Sequence, residues 1–125
     1  MNHVLLDTNI LMAVAQFKID IFSELQRISD FPYDISILDL TINELKSIQS
    51  IQKGENKLAA AISLSIIEKN PLNIIRTNSK GPVDNIIANF SKQGYIVATQ
   101  DMFLKRRLKK PYITMRKKEY LMLVN

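Results

Sequence analysis

Asp7, Glu44, Asp84 and Asp101 are the residues of this chain whose types and positions could do chemistry together. Each comes after an apolar run: Val4-Leu5-Leu6 before Asp7, residues 35–40 before Glu44, residues 72–75 before Asp84, and residues 95–98 before Asp101. Carboxylates brought within a few ångströms repel one another, which raises their pKa values and costs stability unless cations neutralise them. Oxygen ligands without His or Cys suit Mg²⁺ or Mn²⁺, and four carboxylates would balance two divalent ions in charge. Such ions serve phosphoryl chemistry by activating a water nucleophile and by neutralising charge on the attacked phosphate and the leaving oxygen. The implied chemistry is metal-dependent phosphodiester hydrolysis. Taken singly, each acid has a plainer role. Thr41 and Glu44 have the spacing of a helix capping box, Asp84 falls in the first turn after Pro82, and Asp7 and Asp101 can cap helices. Assigning four acids from distant parts of the chain to one edge of one sheet favours a joint role.

Two polar neighbours, Asn9 and Thr99, are expected to orient Asp7 and Asp101 respectively by hydrogen bonds, although both are also turn formers. Directly after Asp101, residues 102–118 hold eight Lys or Arg and no acid, whereas the rest of the chain carries nine basic residues against all twelve acids. Lys105, Arg106, Arg107, Lys109 and Lys110, continued by Arg116, Lys117 and Lys118, could hold phosphates beside the acids. A merely solvated helix face usually mixes signs, so the segment suggests a polyanionic partner, nucleic acid. Tyr95, Tyr112, Phe103 and Tyr120 could stack on bases in single-stranded RNA, but each is read as core packing in preference. His3, on a strand expected to be buried, is read as packing rather than chemistry.

These residues must be positioned by a chain of 125 residues, enough for one domain, 1–125, with one core. A hydrophobic fraction of 46% with three Gly and four Pro argues for a packed core rather than disorder. The absence of cysteine excludes disulfides, thiolate catalysis and cysteine zinc sites, and the single His leaves little scope for histidine metal sites or triads. No signal peptide or membrane span is expected, which implies a cytoplasmic protein.

Hydrophobic spacing predicts a strand ending at Asp7 followed by a turn, a helix over 18–29, a strand over 35–40, and a helix over 42–52. It further predicts a helix over 55–69 with Leu58, Ile62 and Ile66 on one stripe and Ala59, Ala60 and Ala61 allowing close packing. A third strand over 72–75, a polar loop over 78–81, and a helix opened by Pro82 follow, with Gly94 suited to a left-handed cap. The remainder reads as a strand over 95–98, a basic helix over 102–110 anchored by Leu104 and Leu108, and an edge strand over 112–115. Strands alternating with helices imply a three-layer α/β/α sandwich with a central, mainly parallel sheet. Such sheets place ligands at the carboxyl ends of their strands, where all four acids would lie.

Asp7-Thr8-Asn9 after an opening strand, Thr41-Ile42-Asn43-Glu44, Val83-Asp84-Asn85-Ile86-Ile87, and the run from Tyr95 to Asp101 followed by Leu104 resemble, as an ordered set, the PIN-domain family. The resemblance covers essentially the whole chain. Within the family, residues 96–101, Lys105-Arg106-Arg107 and Tyr112-Ile113-Thr114 look most like the branch involved in ribosomal RNA processing. The resemblance implies a magnesium- or manganese-dependent endoribonuclease that leaves a 5′-phosphate, with Asp7, Glu44, Asp84 and Asp101 as metal-binding acids supported by Thr99. It also implies RNA, ribosomal RNA above all, as substrate, and as partners a second copy in a homodimer, a ribosome-assembly protein, or an antitoxin if the chain is the toxin ribonuclease of a toxin–antitoxin pair.

Three other readings compete. A phospho-aspartate phosphatase would want a general acid at position 9, and Asn9 cannot give a proton. A receiver domain would need an acidic pair near the N-terminus and leaves the basic segment unexplained. A noncatalytic RNA-binding scaffold remains as the rival from another functional class.

Overall fold

In the computed structural model of the protein, which describes residues 1–78 and 81–125, the strands are β1 (Asn2–Leu6), β2 (Tyr33–Leu38), β3 (Asn73–Ile75), β4 (Ile96–Ala98), β5 (Tyr112–Arg116) and β6 (Tyr120–Val124). The helices are α1 (Thr8–Gln16), α2 (Ile21–Ile28), α3 (Asp39–Ile51), α4 (Glu55–Lys69), α5 (Val83–Lys92) and α6 (Met102–Lys105). The strands form one sheet in the order β3-β2-β1-β4-β5-β6. The pairs β1–β2, β2–β3, β1–β4 and β4–β5 are parallel, and β5–β6 is antiparallel.

Alternation along each strand divides the core between two faces. Val4 and Leu6 of β1 and Ile37 of β2 pack with Ile10, Leu11 and Val14 of α1, Leu25 of α2, Leu45 of α3 and Ala60 of α4. Leu5, Leu38 and Val97 face the other way, onto Ile86 and Ile87 of α5 and Leu104 of α6. The result is the expected three-layer α/β/α sandwich. From β1 the chain builds β2 and β3 on one side, then crosses to β4 on the other. The crevice beyond the carboxyl ends of β1 and β4 is therefore the switch point at which such sheets bind ligands.

Several local expectations are corrected. The turn after Asp7 is the start of helix α1, with Asp7 as its N-cap. Helix α2 begins at Ile21 rather than 18 because Asp20 accepts from the backbone N–H groups of Phe22 and Ser23, at 3.1 and 3.2 Å. No capping box joins Thr41 and Glu44: α3 starts at Asp39, and Thr41 is buried inside it, accepting a 3.1 Å hydrogen bond from the Thr8 hydroxyl. Strand β2 accordingly ends at Leu38.

In α4 the Leu58–Ile62 stripe faces outward. Leu58 is 62% exposed, and the buried residues are Ala59, Ala60 and Ser63, whose small side chains let α1 and α3 come close. The basic helix over 102–110 shortens to α6, although Leu104 is buried and Leu108 packs against the same core. His3 is exposed, with its Nδ1 2.6 Å from Asp34 Oδ1 and its ring beside Tyr95. Of the polar loop expected over 78–81, Ser79 and Lys80 lie outside the described residues. Gly94 does adopt a positive φ, 99°, just past α5. Among the described residues no helix is long and apolar enough to cross a membrane.

The strand over 112–116 is not an edge, because β6 lies outside it. On α2, Glu24 and Arg27 pair at 3.0 Å and turn toward β6, where Glu24 accepts from the N–H of Leu121 at 2.8 Å and Arg27 donates to its carbonyl at 2.6 Å.

Candidate active site

Asp7 stands at the end of β1 and is buried, 8% exposed. One carboxylate oxygen accepts from the N–H of Thr8 at 2.8 Å, and the other accepts from the hydroxyl of Thr99 at 2.8 Å. Burial pushes its pKa up, and Glu44 and Asp84 push in the same direction by charge repulsion; the bonds from Thr99 and Thr8 oppose the shift. Three acids from three separate elements thus share one electrostatic environment. Glu44 projects from α3 and Asp84 from the first turn of α5, both exposed.

Asp101 joins through Thr99. The Thr99 hydroxyl donates to Asp7 and accepts from the N–H of Asp101 at 3.1 Å, so one side chain links the ends of β1 and β4. The Asp101 carboxylate caps α6, accepting from Phe103 and Leu104 at 2.9 and 3.1 Å. Asp7 and Asp101 therefore do act as helix caps. For Asp7 that role leaves unexplained a buried carboxylate facing two further acids.

Thr99 meets Asp101 as expected, through the N–H of that residue, and it also takes the place beside Asp7 expected of Asn9. Asn9 does not orient Asp7; its side-chain oxygen accepts from the N–H of Gln100 at 2.9 Å and lies 3.2 Å from the Thr99 hydroxyl, pinning the loop after β4. Thr99 is the residue that holds Asp7. Sequence reasoning also missed Gln100, whose Oε1 accepts from the hydroxyl of Thr114 at 2.8 Å and from the N–H of Met115, fastening that loop to β5. These bonds span residues far apart in sequence. The only sequence signal for them is the polar run Thr99-Gln100 directly after an apolar strand.

Acceptor-only carboxylates are suitable donors for a hard divalent cation. Among the described residues no group of three or more His, Cys, Asp or Glu side chains is drawn together tightly enough to hold one ion. Mg²⁺ commonly binds one or two carboxylates and keeps several waters, which an open cluster of this kind suits.

The basic segment runs alongside. Lys105 is half-buried between Asp101 and Arg116; burial and Arg116 lower its pKa, while Asp101 opposes them. Arg106, Arg107, Lys109 and Lys110 are exposed. Arg107 donates to the Asn85 side chain at 2.8 Å, beside Asp84, and the N–H of Lys109 donates to Ser91 at 2.8 Å, so the segment is fastened to α5. On the other flank of the acids, a groove of about 320 Å³ runs past Glu44 between α1, α3 and α4, lined by Thr8, Asn9, Gln16, Gln52 and Asn56 among others. A larger cavity, about 700 Å³, lies elsewhere, around Ser29, Pro111 and Tyr120. Phe31 and Pro111 in its wall precede β2 and β5, so it opens at the opposite edge of the sheet.

Residues 4–118 match the family described as the PIN-like domain. The chain belongs to the PIN-domain ribonuclease family. This PIN domain is 32% identical over 121 residues to Ribonuclease VapC4 of Methanocaldococcus jannaschii, a match covering 91% of this chain and 90% of that protein. Its fold is similar to that of the PIN domain endonuclease Utp24, with a TM-score of 0.78 at 25% identity, over 97% of this chain and 90% of the other. In this PIN domain, then, the acids at the carboxyl ends of β1 and β4 occupy a fold that its relatives use for nucleases.

Proposed function

We propose that the protein is a divalent-metal-dependent endoribonuclease that hydrolyses RNA phosphodiester bonds. The observation that carries this reading is the buried Asp7 carboxylate, locked by Thr99 at the sheet's switch point and facing Glu44 and Asp84, with an acid-free basic segment beginning one residue beyond Asp101. Mg²⁺ or Mn²⁺ bound there would offset the repulsion among Asp7, Glu44, Asp84 and Asp101 and acidify a water close to the phosphate. The protein's own groups do the rest. Thr8 and Thr99 fix the direction of the Asp7 oxygens; Arg106, Arg107, Lys109 and Lys110 hold backbone phosphates on one side; the amide-lined groove past Glu44 receives the strand on the other. Addition of water to phosphorus with release of the 3′-oxygen leaves a 5′-phosphate and a 3′-hydroxyl.

Ribosomal RNA processing is the role supported by the resemblance of residues 96–114. A toxin ribonuclease would use the same chemistry, and the nearly full-length relationship to Ribonuclease VapC4 favours that second reading. The test is cleavage of a structured ribosomal RNA fragment by the purified protein in Mn²⁺ or Mg²⁺. Cutting that requires the ion, stops with EDTA and leaves 5′-phosphate ends is expected. RNA binding without any cutting in either ion would favour the scaffold.

Thr99 provides a sharper test of the geometry. Thr99→Val keeps the shape but removes the hydroxyl that links Asp7 to Asp101, and it should lower the cleavage rate by about 10- to 100-fold. Thr99→Ser, which keeps the hydroxyl, should restore most of the rate. Equal rates in the Val and Ser variants would mean that this hydrogen bond does not serve catalysis.

A further inference from the structure

Phe103 departs from every other phenyl and phenol ring in the chain. Of five Phe and four Tyr residues it alone is exposed, at 75%. Its backbone is nonetheless anchored. Its N–H donates to Asp101 at 2.9 Å, the next residue, Leu104, is anchored in the core, and the Arg106 guanidinium sits over its ring, 5.6 Å from the centroid. A ring with an arginine on one face and 75% of its surface in solvent offers its other face outward. This exposed phenyl stands at the head of a segment with eight cations and no acid. That field repels basic partners and draws a polyanion. A base carries a flat π face and a phosphate, and a phenyl–guanidinium pair complements both.

Resting on the ribonuclease reading, we infer that Phe103, backed by Arg106, is a stacking platform for an unpaired base of the RNA strand, placed beside Asp101 so that it sets where along the strand cleavage falls. Stacking tolerates every base, so the platform selects unpairedness rather than sequence.

The test uses a short single-stranded RNA carrying one 2-aminopurine, whose fluorescence is quenched by stacking, with the full chain in EDTA so that nothing is cut. Wild type should bind and quench. Phe103→Ala and Phe103→Leu should bind roughly tenfold more weakly and lose the quenching, whereas Phe103→Trp should keep both. Because the ring is exposed, these variants should melt as wild type does. The salt dependence of binding should be unchanged in Phe103→Ala but flatter in Arg107→Ala, which separates stacking from phosphate contact. Wild-type affinity and quenching in Phe103→Leu overturn the platform and leave the ring to a protein partner, even if wild type cleaves RNA in Mn²⁺. Absence of quenching by wild type overturns it as well. Quenching lost in Phe103→Leu upholds the platform even if no ion supports cleavage, in which case the nuclease reading alone fails.

Discussion

Asp7→Asn and Asp101→Asn, purified in the same way as wild type, are expected to cut structured ribosomal RNA more than about 100-fold more slowly while still binding it, a loss beyond what removal of an orienting group produces. Both substitutions are conservative in shape. Asn can still accept from the N–H of Thr8 at position 7, and at position 101 it caps a helix as well as Asp does. What disappears is the negative charge, so inactivity cannot be traced to a frayed α1 or α6. Retained binding would follow because Arg106, Arg107, Lys109 and Lys110 are untouched. Equal cutting by all three proteins would point to a contaminating nuclease or to a wrongly placed site.

Millimolar Mn²⁺ or Mg²⁺ should raise the melting temperature of wild type and leave that of Asp7→Asn nearly unchanged. An ion present at 100 times its dissociation constant stabilises the folded state by about 2.7 kcal/mol. For a domain of this size that corresponds to roughly 10 °C. Without the ion the effect of Asp7 reverses sign. Its folded pKa lies above its unfolded value, because burial, Glu44 and Asp84 disfavour the charge, so ionisation costs more in the folded chain. The penalty is absent below the unfolded pKa, grows as pH rises through the unfolded and folded values, and is constant above them. In EDTA at neutral pH, Asp7→Asn should therefore melt above wild type, and the gap should close as pH falls toward 4. Melting curves across that range decide the matter. A wild type indifferent to both ions and no less stable than Asp7→Asn would show that the acids do not strain the fold.

The strand–acid pattern was legible because burial of a parallel strand leaves an apolar run in the sequence, and a polar residue ending such a run marks the sheet's carboxyl edge. That is how residues 4–7 and 96–101 could be read. Helix α1 was hidden: Thr8–Gln16 packs between the sheet and α4, so it carries little of the polar contrast that reveals a surface helix. Thr41 and Glu44 had the spacing of a capping box, but tertiary bonds decided otherwise, Thr77 to Asp39 at the helix start and Thr8 to Thr41 within it. In α4, Leu58 and Ile62 made the more hydrophobic stripe, yet close approach of neighbouring backbones selected the alanine face. That Thr99 rather than Asn9 holds Asp7 was not legible, because it depends on how β1 and β4, some ninety residues apart, register in space.

The Glu24–Arg27 pair on α2 has a bearing on how copies of this chain meet. An outermost strand normally displays unpaired N–H and C=O groups, a template onto which another chain can add. At Leu121 both groups are already engaged, the N–H by the carboxylate and the carbonyl by the guanidinium, so a charged helix stands where a seventh strand would dock. Growth of the sheet from the β6 margin is blocked at that residue. Two molecules crowded together are therefore steered away from edge-to-edge aggregation along that margin.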